Sequence, residues 1–304
     1  MTTELRIYYE FQFESLYKTI ETIHKTSSIT FNIISRYKLL DKKKKTIEYL
    51  RPFYVVKIIE FQKEKDDIQK MKKLYHFYKH LKHETQNPNI VNIIDVFVIK
   101  TNNKYKLHII MDYCKYDTID KCTQEFPLEN EIYKRSLICD ISNGLKYLYN
   151  KNIHHYCLSP ENIFIDKGGS VFPEAKISNC GLMDKINGKE EIGISNFDER
   201  FEPPEYKQEM IHTKSDVWSF GMIIYYIMIG KTNFEKINMK NEDDCEQQII
   251  FQFNKINDNN CVDLLKKMLV YNPLERIEMK EVFEHPFIVE CQQMKINQKR
   301  FIRL

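Results

Sequence analysis

The hydrophobic period of this chain changes near residue 112, and that change restricts its fold more than any other feature. Before it, Leu5, Ile7, Tyr9, Phe11 and Phe13 alternate with polar or exposed-type residues, the period of a strand. Strand-like stretches continue at residues 20–23 and 30–39. A lysine-rich loop follows, and then Phe53, Val55, Lys57 and Ile59 set one strand face while Tyr54, Val56 and Ile58 set the other. Residues 63–82 switch to a helical period, with Ile68, Met71, Leu74 or Tyr75, Tyr78 and Leu81 on one broad face. Strands return at 90–99 and 106–111, and beyond 112–118 the pattern is mainly helical, beginning at 129–149. The predicted fold class is α+β. A small, mostly β lobe with one main helix spans residues 1–112, including an N-terminal extension. A larger helical lobe with a hinge and closing helices spans 113–304.

Composition narrows the function classes. With 42% hydrophobic and 29% charged residues, the 304-residue chain has the make-up of a folded protein and not of a disordered tail. A formal charge of +3 implies no specific nucleic-acid binding. The densest basic run, Lys42 to Lys45, reads as a solvated loop. Eight cysteines without a CxxC pair, and an N-terminus without a secretion pattern, read as reduced thiols in a cytoplasmic or nuclear protein. The most apolar stretch, 217–229, contains Trp218, Ser219 and Gly221; it is too short to span a bilayer and reads as a buried helix. His76, His80 and His83 share one helical face, but no Cys or acidic ligand is fixed beside them, so no metal is expected there.

The second lobe carries an ordered series of landmarks: HYCLSPENIFI at 155–165, AKISNCGL at 175–182, PPE at 203–205, KSDVWSFGMIIYYIMIGKTNF at 214–234 and NPLERIEMKEVFEHPFI at 272–288. In order and spacing they resemble the catalytic loop, metal-binding segment, activation-segment end, central buried helix and closing helices of the protein kinase family. The lower lobe most resembles calcium/calmodulin-dependent and calcium-dependent kinases, although no EF-hand loop is present. The excess of Lys and Asn over Arg and Gly is also the coding bias of an AT-rich genome, such as that of an apicomplexan protist. The resemblance implies that Glu205 pairs with Arg276 and that Asp216 receives backbone N–H groups of the catalytic loop.

The same resemblance assigns positions to phosphoryl transfer, which is mostly positioning plus neutralisation of phosphate charge. A phosphate-covering loop needs glycine for close backbone approach. Here His24, Thr26 and Ile29 fill the three glycine positions, and the first glycine anywhere is Gly144. Lys57 matches the phosphate-binding lysine, but its partner glutamate position falls on Leu74; Glu60 or Glu64 could substitute only through a helix shift. The position that orients the acceptor hydroxyl is Cys157, a thiol with a reference pKa of about 8.5 and no carboxylate oxygens. Tyr156 stands where a phosphate-gripping arginine is usual, and Ser159 where a lysine steadies the transferring group. The main magnesium ligand becomes Asn179; Asn162, the second, is retained. Val55 and Phe164 add bulk at positions that line adenine, and Phe197 and Asp198 replace the pair that usually receives the phosphoacceptor.

These losses imply a catalytically inactive homologue, a pseudokinase and not an enzyme. Cys157, Ser159 and Asn179 are its degenerate catalytic positions and Lys57 and Asn162 are vestigial. No ATP, magnesium or other cofactor is expected. The implied role is a scaffold or allosteric regulator holding a protein partner, such as another kinase or a multiprotein assembly. A nucleotide-binding interaction module, and a weak unconventional serine/threonine phosphotransferase using Lys57, Asn162 and Asn179, are the alternatives. The tail 290–304 is expected to extend the last helix or pack on the lobe, with a partner-binding segment as the other reading; homo-oligomerisation is not legible in these patterns.

Overall fold

The computed structural model describes residues 5–8, 13–14, 16–25, 29–39, 47–84, 86–122, 130–166, 173–178, 198–208, 210–230, 245, 247–248 and 253–301. Several sequence expectations fall outside these residues: Thr26, the Lys42–Lys45 run, Asn179 through Leu182, Phe197, 231–234 and 302–304. The chain divides into two compact units, residues 1–87 with 91–113, and residues 88–90 with 114–304.

The first unit is a six-stranded sheet with one helix. Its strands are β1 (Ile7–Tyr8), β2 (Tyr17–Lys25), β3 (Ile29–Leu39), β4 (Ile47–Gln62), β5 (Ile93–Lys100) and β6 (Lys104–Asp112), in the order β1-β5-β6-β4-β3-β2. Every pairing is antiparallel except β1 with β5. The β-branched residues of β4 to β6 pack on both sides of the sheet: Val56, Val96, Val98, Ile109 and Ile110 have no measurable exposure. Helix α1 (Lys65–Glu84) buries Met71, Leu74, Tyr75, Tyr78 and Leu81, a stripe at helical spacing that matches the expected face.

Of the expected N-terminal strand, Tyr9 and Phe11 lie outside the described residues. Among the described residues of this segment Ile7 and Tyr8 pair, with Val98 and Ile99, and Phe13 and Glu14 are helical. The rings of Tyr8 and Phe13 both pack on Phe97, at 5.1 and 5.9 Å between centroids. Ile90 is likewise outside the strand predicted for it; it forms an isolated bridge with Ile177 in the second unit, and β5 starts at Ile93.

The second unit is mainly helical, with α2 (Glu131–Asn150), α3 (Ser215–Ile229), α4 (Asn259–Met268), α5 (Met279–Glu284) and α6 (Pro286–Phe301), plus the hairpin β7 (Ile163–Asp166) and β8 (Glu174–Ile177). Helix α2 begins where Asn130 accepts the N–H groups of Ile132 and Tyr133, a side-chain cap that fixes its first turn. The predicted buried helix is α3, apolar on every side. Val217, Trp218, Phe220, Met222, Ile223, Ile224, Tyr225, Tyr226 and Ile227 all have zero exposure, so α3 is the axis of the core. Burial of each large apolar side chain of this kind stabilises the fold by roughly 1.5–3 kcal/mol. Gly230 ends α3 at φ 82°, a left-handed conformation that favours glycine. Among the described residues no helix is long and apolar enough to cross a membrane.

Candidate functional site

The turn at residues 154–162 is built by its anchors. Asp216, in the first turn of α3, accepts the N–H of His155 on Oδ2 and the N–H of Tyr156 on Oδ1, both at 2.7 Å. Those bonds hold Tyr156 at φ 60°, a left-handed conformation costly for a bulky residue. Tyr206 adds a third tie, its hydroxyl donating to the Tyr156 carbonyl at 2.8 Å. The Tyr156 ring stacks on His154 at 5.2 Å.

His155 is fully buried and uses both ring nitrogens. Nδ1 receives the Cys157 N–H at 3.3 Å, which leaves Nε2 to carry the proton and donate to the Ser178 carbonyl at 2.8 Å. Burial pushes its pKa below the usual 6.5, although Asp216 pulls the other way, so the ring stays neutral.

Cys157 and Ser159 are completely buried and Asn162 nearly so. Asn162 Nδ2 donates to the Cys157 carbonyl at 2.7 Å, with Cys157 Sγ at 3.6 Å and Ser159 Oγ at 3.5 Å. Ser159 Oγ also donates to Glu161 Oε2 at 3.4 Å. Burial, then the nearby charges of Asp198 and Asp120, raise the Glu161 pKa. The structure therefore brings Cys157, Ser159 and Asn162 together.

Two further anchored stations lie in the same unit. Glu205 receives both arms of the Arg276 guanidinium at 3.0 Å and the Ser215 hydroxyl at 2.8 Å. Arg276 also donates to the carbonyls of Val270, Lys214 and Tyr271 and lies 5.2 Å from the Trp218 ring. Asp198 accepts the N–H and guanidinium of Arg200, capping the 3-10 turn Glu199–Phe201.

In the first unit Lys57 is 1% exposed, on β4 opposite Phe31 and Ile109, with its ammonium 5.4 Å from the Phe31 ring centroid. Leu74 is in the α1 core stripe, and the carboxylate of Glu60 is engaged by Lys104. Val55 faces Met111 across the β4–β6 pair, and Phe164 of the second unit lies on β7 opposite Lys176.

The residues 37–288 match the protein kinase domain family, and the chain belongs to it. Among curated relatives, serine/threonine-protein kinase ATG1c of Arabidopsis thaliana is 26% identical over 70% of this chain and 29% of its own length. Aurora kinase A-A of Xenopus laevis is 26% identical over 71% of this chain and 50% of its own. Death-associated protein kinase 2 of Mus musculus is 26% identical over 72% and 60%. The chain thus spans between 29% and 60% of the length of these relatives. The α+β kinase fold expected from the sequence is the fold observed.

The expectation that the chain is not an enzyme is overturned by these matches, because the family and the named relatives are kinases. It relied on single side chains at motif positions. Catalysis by positioning and binding is shared among many groups, and removing one or several of them leaves residual acceleration.

The family fold implies magnesium with its nucleotide. Of the two metal-ligand positions the described one is Asn162, whose amide nitrogen is turned to Cys157 and Ser159. An amide oxygen is a ligand a hard dication takes, so Asn162 fits its position, and Asn179 lies outside the described residues. Among them no group of three or more His, Cys, Asp or Glu is placed to hold a metal ion.

Sequence reasoning missed the Arg135 and Lys295 networks. Arg135 reaches Glu131, Asp258 and Glu290, and Lys295 reaches Asp140. The legible signal for the second was a lysine four residues after Cys291, continuing the buried stripe of Phe287 and Cys291.

Proposed function

We propose that this kinase-family chain acts mainly as a protein-binding regulator, scaffold or allosteric, and that its phosphotransfer is slow and unconventional. One observation carries the reading. The contacts that hold the family architecture, Glu205 with Arg276 and Asp216 with His155 and Tyr156, are made in full, while the acceptor-orienting position is the fully buried thiol of Cys157. A neutral thiol hydrogen-bonds weakly and holds no negative charge against a substrate hydroxyl. The architecture that presents a surface is thus supported, and the group that speeds transfer is changed.

The test has two arms. With radiolabelled ATP and magnesium, turnover by the isolated chain is expected at least about 10²-fold below the ~1–100 s⁻¹ usual for kinases. Cys157→Ser is expected to leave that rate within about threefold, since neither side chain is a base at neutral pH. The protein isolated from its own cells is expected to carry a stoichiometric protein partner. Turnover in the ordinary kinase range without any partner overturns the reading.

A further inference from the structure

Helix α6 is joined to α2 by a buried charge pair as well as by apolar contact. Its inner face carries Phe287, Ile288 and Cys291, all fully buried, and then Lys295, 9% exposed. Lys295 Nζ meets Oδ1 of Asp140, which is 2% exposed in the middle of α2.

The other oxygen of Asp140 bonds to β8, which is followed by Ser178, a residue bonded to the 154–162 turn. Asp140 Oδ2 accepts the Ala175 N–H at 3.1 Å, and the Asn89 side chain also bonds to this carboxylate. Asn89 Nδ2 donates to the Ala175 carbonyl at 3.1 Å, and its own carbonyl accepts the Ile177 N–H at 2.9 Å. Ser178 then closes on the turn: its N–H donates to the Asn162 carbonyl at 2.9 Å and its carbonyl accepts from His155 at 2.8 Å. Strand β8 therefore connects the ion pair to the residues that seat Cys157 and Asn162.

Little slack exists along this route. A Cβ on Gly144, one turn after Asp140, would lie 2.8 Å from the Asn89 carbonyl oxygen and 2.9 Å from Ile177 Cδ1. Close-packed groups of this kind transmit a displacement instead of absorbing it.

We propose that Lys295 is a positioning residue, through which the C-terminal helix controls the backbone of β8 and so the seat of Cys157 and Asn162. Without the ammonium, Asp140 is a buried carboxylate with no counter-cation and must take up a proton or draw in water. Either response changes the acceptor that fixes Ala175 and Asn89. A partner that lifts α6 would thereby loosen the 154–162 turn without touching it, a coupling between two sites of one unit. This goes beyond the proposed function and does not depend on the rate of phosphotransfer.

Residue-resolved amide hydrogen exchange on the full chain tests it with three variants. Lys295→Arg keeps the charge and is expected to leave exchange at Ile177, Ser178 and Asn162 within about twofold of wild type. Lys295→Met is expected to accelerate these amides about tenfold or more while those of α3 move much less. The double variant Asp140→Asn with Lys295→Met removes both charges. It is expected to recover most of the denaturation midpoint while exchange at Ala175 and Ile177 stays fast. Uniform acceleration across α3, α4 and β8 in Lys295→Met, or no change at β8, overturns the proposal. Should Lys295→Met fail to fold, the double variant decides: fast local exchange at 175–178 supports the coupling, and wild-type exchange there overturns it.

Discussion

Two buried stations of the second unit, the Glu205–Arg276 pair and the turn at 155–162, are bonded in opposite ways. Around Arg276 the contacts are charged: a guanidinium gripped on both arms by one carboxylate and surrounded by three carbonyls. Inside the turn they are made mostly by neutral groups, an uncharged imidazole, a thiol, a hydroxyl and an amide, with one carboxylate, Glu161, accepting from Ser159. Formal charge ties segments far apart in sequence, and mostly neutral groups bond the short turn. The largest effect expected follows from that contrast. Arg276→Met leaves Glu205 buried opposite an apolar side chain, and a loss of about 3–5 kcal/mol is expected in urea unfolding. A loss below about 1 kcal/mol would break the comparison, because the pair would then be as dispensable as a surface bridge.

Asp216 stands at the boundary between the two stations, a charge that holds the neutral turn. Asp216→Asn offers one oxygen and an NH2 group to two backbone N–H donors, so one of the two 2.7 Å bonds is lost. The expected cost is about 1.5–3 kcal/mol, together with faster amide exchange at Tyr156, whose left-handed backbone is held by this contact. Unchanged exchange at Tyr156 would show that the turn holds itself.

A smaller effect is expected from His155. Its folded pKa lies below the unfolded value of 6.5 because of burial, so between the two values the unfolded chain binds more protons than the folded one. Its contribution to stability is thus complete above about pH 6.5 and is lost as pH falls through the folded value. Protonation would also turn Nδ1 from an acceptor into a donor against the Cys157 N–H. The slope of unfolding free energy between about pH 6.5 and 5 is expected to be shallower in His155→Gln than in wild type. Equal slopes would place the acid sensitivity elsewhere.

What was legible in the sequence followed the range over which each signal acts. Helix α1 was readable because burial repeats at the helical period within one segment, as at Met71, Leu74, Tyr75, Tyr78 and Leu81, and α3 because its segment is apolar almost throughout. The gathering of Cys157, Ser159 and Asn162 was readable because they share one short turn. At Phe13 the N-terminal alternation misled, since this helical residue packs its ring on Phe97 and His108. Contacts such as Lys295 with Asp140 join residues brought together only by helix packing, and no local period encodes the partner. The step from single motif positions to a chain without enzymatic activity was not legible, because rate is shared among groups.

The smallest effect expected concerns a charge cluster on the surface, where the contrast between buried and exposed charge can be sharpened. Asp263 in α4 accepts from Lys267 Nζ at 2.7 Å and from His285 Nε2 at 2.9 Å, yet its side chain is 54% exposed. The Lys267 hydrogen bond, then that of His285, holds its pKa below the usual 3.8. The stabilisation is therefore present above about pH 3.8 and lost as pH falls through the lower folded value. Water and salt screen such a pair, so Asp263→Asn is expected to lower the Tm by no more than about 3 °C at neutral pH. In about 1 M salt, where the screening length is ~3 Å, the difference from wild type is expected to shrink further. A loss as large as that of Asp216→Asn would mean that burial is not what separates charges that hold this fold from charges that decorate it.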